Sequence, residues 1–226
     1  MADTTSHFKF RPLIEGELQL SRYCSVDLSS ANPAISAALI QNPADCEAYL
    51  EDYCQQRHAG VAYGGYLENR QLYEENSLFQ EGEARSLHLG VDFWCAADRF
   101  ILAPFPGRIH SFANNRSEGD YGPTLIIEHR RAWGATPFEG YSLYGHLAES
   151  SMATWKIGGS VQAGDRLAKL GVAQENGGYA PHLHFQLILD LEGKQGDYPG
   201  VCAPSDRSRF QENCPDPLPL LGLSNT

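Results

Sequence analysis

No apolar run in this 226-residue chain approaches 18 residues, which excludes an ordinary membrane-spanning helix. Basic residues are scarce, with 17 Lys+Arg against 28 Asp+Glu, giving a formal net charge of −11. That balance excludes a role resting on phosphate neutralisation, because a nucleic-acid binder needs a basic face. The first ten residues, Met1 to Phe10, lack the apolar centre of a secretory signal. The chain is therefore expected to act in the cytoplasm, or in the periplasm or outside the cell if a signal has been removed. Cys-x-x-Cys pairs are missing too, which argues against a thiolate zinc site or a thioredoxin-like motif. The cysteines Cys24, Cys46, Cys54, Cys95, Cys202 and Cys214 read as reduced, mostly buried thiols. Cys202 and Cys214 enclose a Pro-rich loop and are the first pair expected to form in an oxidising compartment. There is no internal repeat and no low-complexity tract.

What is present suits a folded enzyme-sized unit. Hydrophobic residues make up 42% and charged residues 20%, near the average for a globular domain. At this length one large domain, or one domain with extensions, can bury a full core without disulfides. Residues 1–85 carry the helical signals. Asn32-Pro33 and Asn42-Pro43 each read as an N-cap followed by proline at the first helical position. After the second, Cys46, Tyr49, Leu50 and Tyr53 recur at helical spacing, with Gly60 as the expected stop.

From about residue 86 the texture changes to short β-rich runs broken by glycine and proline. These are Phe100–Ala103, Arg108–Phe112, Thr124–His129, Tyr141–Leu147, Val161, Arg166–Leu170 and His182–Leu189. Such a series predicts a compact antiparallel β-domain over 86–192. Residues 193–226, with Pro199, Pro204, Pro215, Pro217 and Pro219, read as a tail packed on it.

Histidine carries the chemistry. His88-x-x-x-Asp92 sets an imidazole and a carboxylate four apart, and His182-Leu183-His184 puts two imidazoles on the same face of a strand. His146 closes another β-run in Tyr144-Gly145-His146-Leu147. Two imidazoles and a carboxylate with an open fourth position are what a catalytic zinc requires, and spare imidazoles can move protons near neutral pH. His7, His58, His110 and His129 read as surface or satisfied core histidines. Trp94, Trp133 and Trp155 are open between lining a groove and packing. Glu128, Glu139 and Glu149 read as a solvated face. Gly90 and Gly145 suit tight backbone beside a site.

Residues 86–190 resemble the lysostaphin-type (LytM-domain) zinc endopeptidases. The likeness runs in unbroken order through His88-x-x-x-Asp92, Ala103-Pro104-Phe105-Pro106-Gly107-Arg108-Ile109, Tyr121 to His129, Leu143-Tyr144-Gly145-His146-Leu147, Gly159 to Asp165, and Gly178 to Phe185. The resemblance implies zinc bound by His88, Asp92 and His184. It implies His146 and His182 as the catalytic pair, one acting as general base and both stabilising a tetrahedral intermediate. It also implies a mainly β fold, an antiparallel β-sheet peptidase domain with a lipoyl-like core, here carrying a helical N-terminal extension and a Pro-rich C-terminal tail. The implied activity is zinc-dependent peptide-bond hydrolysis in peptidoglycan-like or muropeptide substrates. Tyr63 to Arg70, Glu175 to Gly178 and Asp197 to Cys202 are similar to a signal-less subgroup often fused to phosphotransferase and aminotransferase domains, for which the wall need not be the substrate. The family's tyrosine upstream of the first zinc histidine has no clear counterpart, Tyr73 being nearest. The N-terminal segment is expected to cover the cleft as a latency device, with Asn69 a candidate plug set against the preferred reading of a packing residue.

Three rivals remain. Gly159 to Gly171 also resembles lipoyl or biotinyl carrier domains, but the required lysine has only Lys169 as a candidate, inside an alternating strand. A catalytically inactive LytM-like binding or regulatory module is the main alternative, disfavoured because all five positions are filled. A metal that only staples the fold sits poorly with two spare histidines.

Overall fold

The computed structural model describes residues 9–70 and 85–224 of the chain. Its strands are β1 (Tyr23–Ser25), β2 (Val61–Gly64), β3 (Leu87–His88), β4 (Val91–Trp94), β5 (Phe100–Leu102), β6 (Gly107–Asn115), β7 (Gly122–His129), β8 (Gly140–Gly145), β9 (Ser160–Val161), β10 (Arg166–Lys169), β11 (His182–Ile188) and β12 (Val201–Cys202). Eight of them form one sheet in the order β1-β2-β4-β11-β8-β7-β6-β9, antiparallel except for β1 against β2. Two further pairs, β10 with β5 and β12 with β3, are also antiparallel. The fold is mainly β, as the alternation of short strands predicts.

Period-two alternation decides which side chains build the core and which build the site. On β11, Leu183, Phe185 and Leu187 enter the main apolar cluster, and on β4 Val91 and Phe93 join them. Each such side chain contributes roughly 1.5–3 kcal/mol on burial, so a one-residue slip would reverse a large preference. The register is thereby pinned, with His184 opposite Asp92 and Gly145. His182, His184, Gln186, Asp92 and Trp94 consequently share the opposite face.

The segment before residue 86 is helical only in part. α1 (Ala37–Gln41) is capped by Ser36, and α2 (Pro43–Gln56) by Asn42, whose side chain accepts from the Ala44 and Asp45 amides. The Asn42-Pro43 signal thus marks a helix start, with Cys46, Leu50 and Cys54 buried along one stripe. Asn32-Pro33 does not; Asn32 Oδ1 accepts from Ala34 N in a turn that precedes the Ser36 cap. The helix also ends at Gln56, before Gly60, through a cap at Arg57. Besides the helices expected of it, this segment contributes β1 and β2 to the sheet edge beside β4, and Leu13 and Ile14 to the main core. At the other end α3 (Arg207–Asn213) and α4 (Leu218–Leu221) bury Phe210, Leu218 and Leu221. Cys202 and Cys214 are buried in a second cluster, whereas the sulfur atoms that meet are those of Cys24 and Cys54, 3.9 Å apart. No helix among the described residues is long and apolar enough to cross a membrane.

Candidate metal centre

His88 closes β3, Asp92 lies in β4 and His184 in β11, and the paired strands bring all three to one buried point. His88 Nε2 lies 2.8 Å from His184 Nδ1, Asp92 Oδ1 lies 3.3 Å from the first and 3.1 Å from the second. His182 and His146 complete the cluster, their ring centroids 4.2 Å apart and His182 Nε2 3.9 Å from Asp92 Oδ1. Each of the five residues singled out from the sequence therefore reaches the same place.

Hydrogen bonds on the far side of each ring settle its tautomer. A carbonyl oxygen can only accept, so His88 donates from Nδ1 to Gly65 O at 2.9 Å, His182 from Nδ1 to Ala180 O at 2.8 Å, and His146 from Nδ1 to Asn176 O at 2.7 Å. His184 is settled by relay. Gln186 Nε2 donates to Pro199 O at 3.1 Å, which turns its Oε1 toward His184 Nε2 at 2.9 Å and makes that nitrogen the donor. Every proton sits on the outer nitrogen, and the inner nitrogens present lone pairs. Two lone pairs facing at 2.8 Å beside a carboxylate oxygen repel one another unless a cation lies among them. Tetrahedral zinc with bonds of about 2.0–2.1 Å separates its ligands by roughly 3.3 Å, close to the observed triangle. The donor set of two imidazoles and one carboxylate therefore fits zinc.

Electrostatics point the same way. Burial drives the His88 imidazole down to about 4 and pushes His146 well below, and His182 below, the usual histidine range. Burial alone would raise Asp92, but His88 and Arg70 outweigh it and hold the carboxyl well below the usual range. Neutral imidazoles around an ionised carboxylate are the protonation states a metal needs.

Local backbone gives these positions their shape. His146 has φ +63, in the left-handed region, a strained conformation for a side-chain-bearing residue. It is clamped there by its own N–H to Tyr121 O and by Gly171 N–H to its carbonyl. Gly90 is required by close approach, since a Cβ there would lie 2.7 Å from the His184 ring. Trp94 stacks on His182 at 5.9 Å, whereas Trp155 is buried with its indole N–H on Leu167 O and Trp133 lies beneath Arg108. Only Trp94 of the three lines the cavity of about 410 Å³ that opens on the cluster.

Asn69 is exposed, in a bridge with Leu87, and does not enter the site. Its neighbour Arg70 does, through Asp92 Oδ2. Tyr73 and His7 lie outside the described residues. Among residues not anticipated, Gln186 had a readable signal, two positions beyond His184 on the same strand face. Arg70, Gly65, Asn176 and Tyr179 lie in stretches that carry the resemblance, but no spacing assigned them to the site, to which loops from elsewhere in the chain bring them. Lys169 sits in β10, its ammonium over the Phe100 ring and 3.6 Å from Asp98, not on a hairpin tip.

Residues 86–197 match the model of peptidase family M23. The chain carries a peptidase family M23 domain. Among solved structures, the M23 domain is similar to the catalytic domain of the antimicrobial peptidase lysostaphin from Staphylococcus simulans, at 20% identity and a TM-score of 0.37 over 55% of this chain and 80% of that one. A zinc-containing peptidase from Vibrio cholerae gives 21% identity and 0.37 over 55% and 33%. A Pseudomonas aeruginosa protein described as a peptidase M23 gives 20% and 0.39 over 61% and 45%, so the chain spans less than half the length of the latter two. No curated protein matches the chain.

Proposed function

We propose that this protein is a zinc-dependent endopeptidase, with muropeptide-like peptides as its substrates and His88, Asp92 and His184 as the metal ligands. The observation that carries this reading is the common aim of four inner lone pairs and one carboxylate oxygen, each fixed by a buried partner on its far side. Lewis acidity toward a scissile carbonyl and acidification of an attacking water are the chemistry that zinc contributes when bound.

The chain's own groups do the rest. His182 Nε2 accepts the proton of the attacking water, its ring held by Ala180 O and the Trp94 face. His146 Nε2, held by Asn176 O and the strained backbone, lies beside it to take up a proton, and the N–H so formed can steady the developing oxyanion or pass the proton on. Both imidazoles are neutral at neutral pH because burial disfavours the charged ring; each keeps its Nδ1 proton and leaves Nε2 free to act as a base. The cavity is lined by apolar Leu28, Ile40 and Trp94 and by polar Asp120, Lys194 and Asp197, a volume and chemistry that suit a short peptide.

The test is incubation of zinc-loaded protein with a panel of muropeptides and glycine-rich or D-amino-acid peptides, read by mass. Products heavier by one water across the cut bond, lost in the His182→Ala variant, are expected. Full zinc occupancy with no cleavage of any member, and retained binding of one, would favour the non-catalytic module instead.

A further inference from the structure

The M23 segment begins at residue 86, yet the carboxylate of Asp92 is gripped from outside it. Arg70 Nη1 donates to Asp92 Oδ2 at 2.6 Å, and Arg70 Nε donates to Glu68 Oε2 at 2.6 Å. The guanidinium is only 5% exposed and lies 5.4 Å above the Trp94 ring. β2 carries the stretch to this place by pairing with β4, Gly64 opposite Asp92. Gly65 follows with φ +105, and a Cβ on it would strike both the Arg70 guanidinium and His88 Nδ1, 2.9 Å from the latter. The chain thus narrows to bare backbone where it passes between the arginine and the first histidine. The two carboxylate oxygens of Asp92 divide their work: Oδ1 faces His88, His182 and His184, while Oδ2 is taken by Arg70.

Resting on the metal reading above, we propose that Arg70, oriented by Glu68, is a positioning residue that keeps Asp92 a one-oxygen ligand, so that residues before the M23 segment complete its metal centre. A carboxylate attached through one oxygen can rotate to offer the second, which would fill the position a substrate needs. A charge-assisted hydrogen bond to that second oxygen opposes the rotation and draws electron density from the ligand. Arginine suits the task because its planar fork reaches Glu68 and Asp92 in one rigid unit, which a lysine ammonium on a flexible stem cannot reproduce.

The experiment uses the full chain as parent, Arg70→Met, Arg70→Lys and Glu68→Gln, each stripped of metal and reloaded with cobalt(II) alone. Four-coordinate cobalt absorbs strongly in the visible range and five- or six-coordinate cobalt weakly. The parent is expected to show the strong band. Arg70→Met is expected to lose at least about half of its intensity, with Arg70→Lys between the two and Glu68→Gln nearest the parent. Thermal melting of the metal-free proteins is measured alongside, since a purely structural arginine would lower the midpoint and leave the cobalt spectrum unchanged. That pattern would overturn the proposal. Should Arg70→Met not fold, spectra of Arg70→Lys and Glu68→Gln superimposing on the parent would overturn it equally. A parent that takes up no cobalt or zinc at all would instead remove the metal reading, a failure distinct from this one.

Discussion

The β7–β8 ladder ends in a buried histidine at either side, and the two have opposite fates. At one end His129 donates from Nδ1 to Pro106 O at 2.8 Å, and its Nε2 accepts from Ser142 Oγ at 2.7 Å. At the other end His146 donates from Nδ1 to Asn176 O at 2.7 Å, and its Nε2 faces the cavity with the other site histidines. Both rings are buried, both are held by a backbone carbonyl, and burial drives both toward the neutral form, His129 to about 4. The difference lies wholly in the second nitrogen. A hydroxyl closes the account at His129 and makes it a satisfied core residue. At the cluster, inner nitrogens and Asp92 Oδ1 meet only one another, and an arrangement of acceptors alone is incomplete without a cation or a substrate proton. Burial and a perturbed imidazole therefore do not distinguish structural from chemical histidines here; the partner of the second nitrogen does.

Replacing a member of each class tests the contrast. His184→Ala is expected to purify with less than about half an equivalent of zinc and without peptidase activity, because two ligands hold the metal poorly. Metal analysis by mass spectrometry checks it, and a variant with full zinc would show that His184 belongs with His129. His182→Ala separates ligand from base: zinc content should match the parent while turnover falls by about 10²–10⁴. Gln186→Leu removes the acceptor that fixes the His184 tautomer, and a zinc affinity lower by about 10–100-fold is expected from competition with a chelating dye.

His129→Gln should leave zinc and turnover alone and act on stability only. The unfolded chain protonates His129 near 6.5, the folded chain near 4. Unfolded protein thus binds more protons as pH falls between these values, so this group's contribution is complete above about 6.5 and fades toward 4, by roughly 3 kcal/mol. Denaturant titrations across that range should show a shallower decline for the variant than for the parent. Equal slopes would mean that His129 is not held neutral by the core.

Much of this site was readable in one dimension. His182-x-His184 on a strand dictates a shared face, and apolar Leu183, Phe185 and Leu187 between and beyond them dictate which face turns inward. The strand series was legible for the same reason, since short alternating runs between glycines leave few other ways to bury their apolar side. The first eighty residues read less well. β1 and β2 span only Tyr23–Ser25 and Val61–Gly64, too short for a period to register, and their pairing with β4 depends on a partner found later in the chain. Asn32-Pro33 carried a helix signal that a local Asx turn absorbed instead.

The amino-acid order by itself determined the kinds of donor available, their spacing along β4 and β11, and the face they share, because strand geometry turns a two-residue interval into a common direction. Only the tertiary structure decided which nitrogen of each ring faces inward, that His129 is closed by Ser142, and that Arg70 rather than Asn69 reaches Asp92. Those outcomes rest on carbonyls, hydroxyls and a guanidinium delivered from distant segments, and a hydrogen bond of 2.6–2.9 Å is settled by where folded chains meet, not by how far apart they lie in sequence.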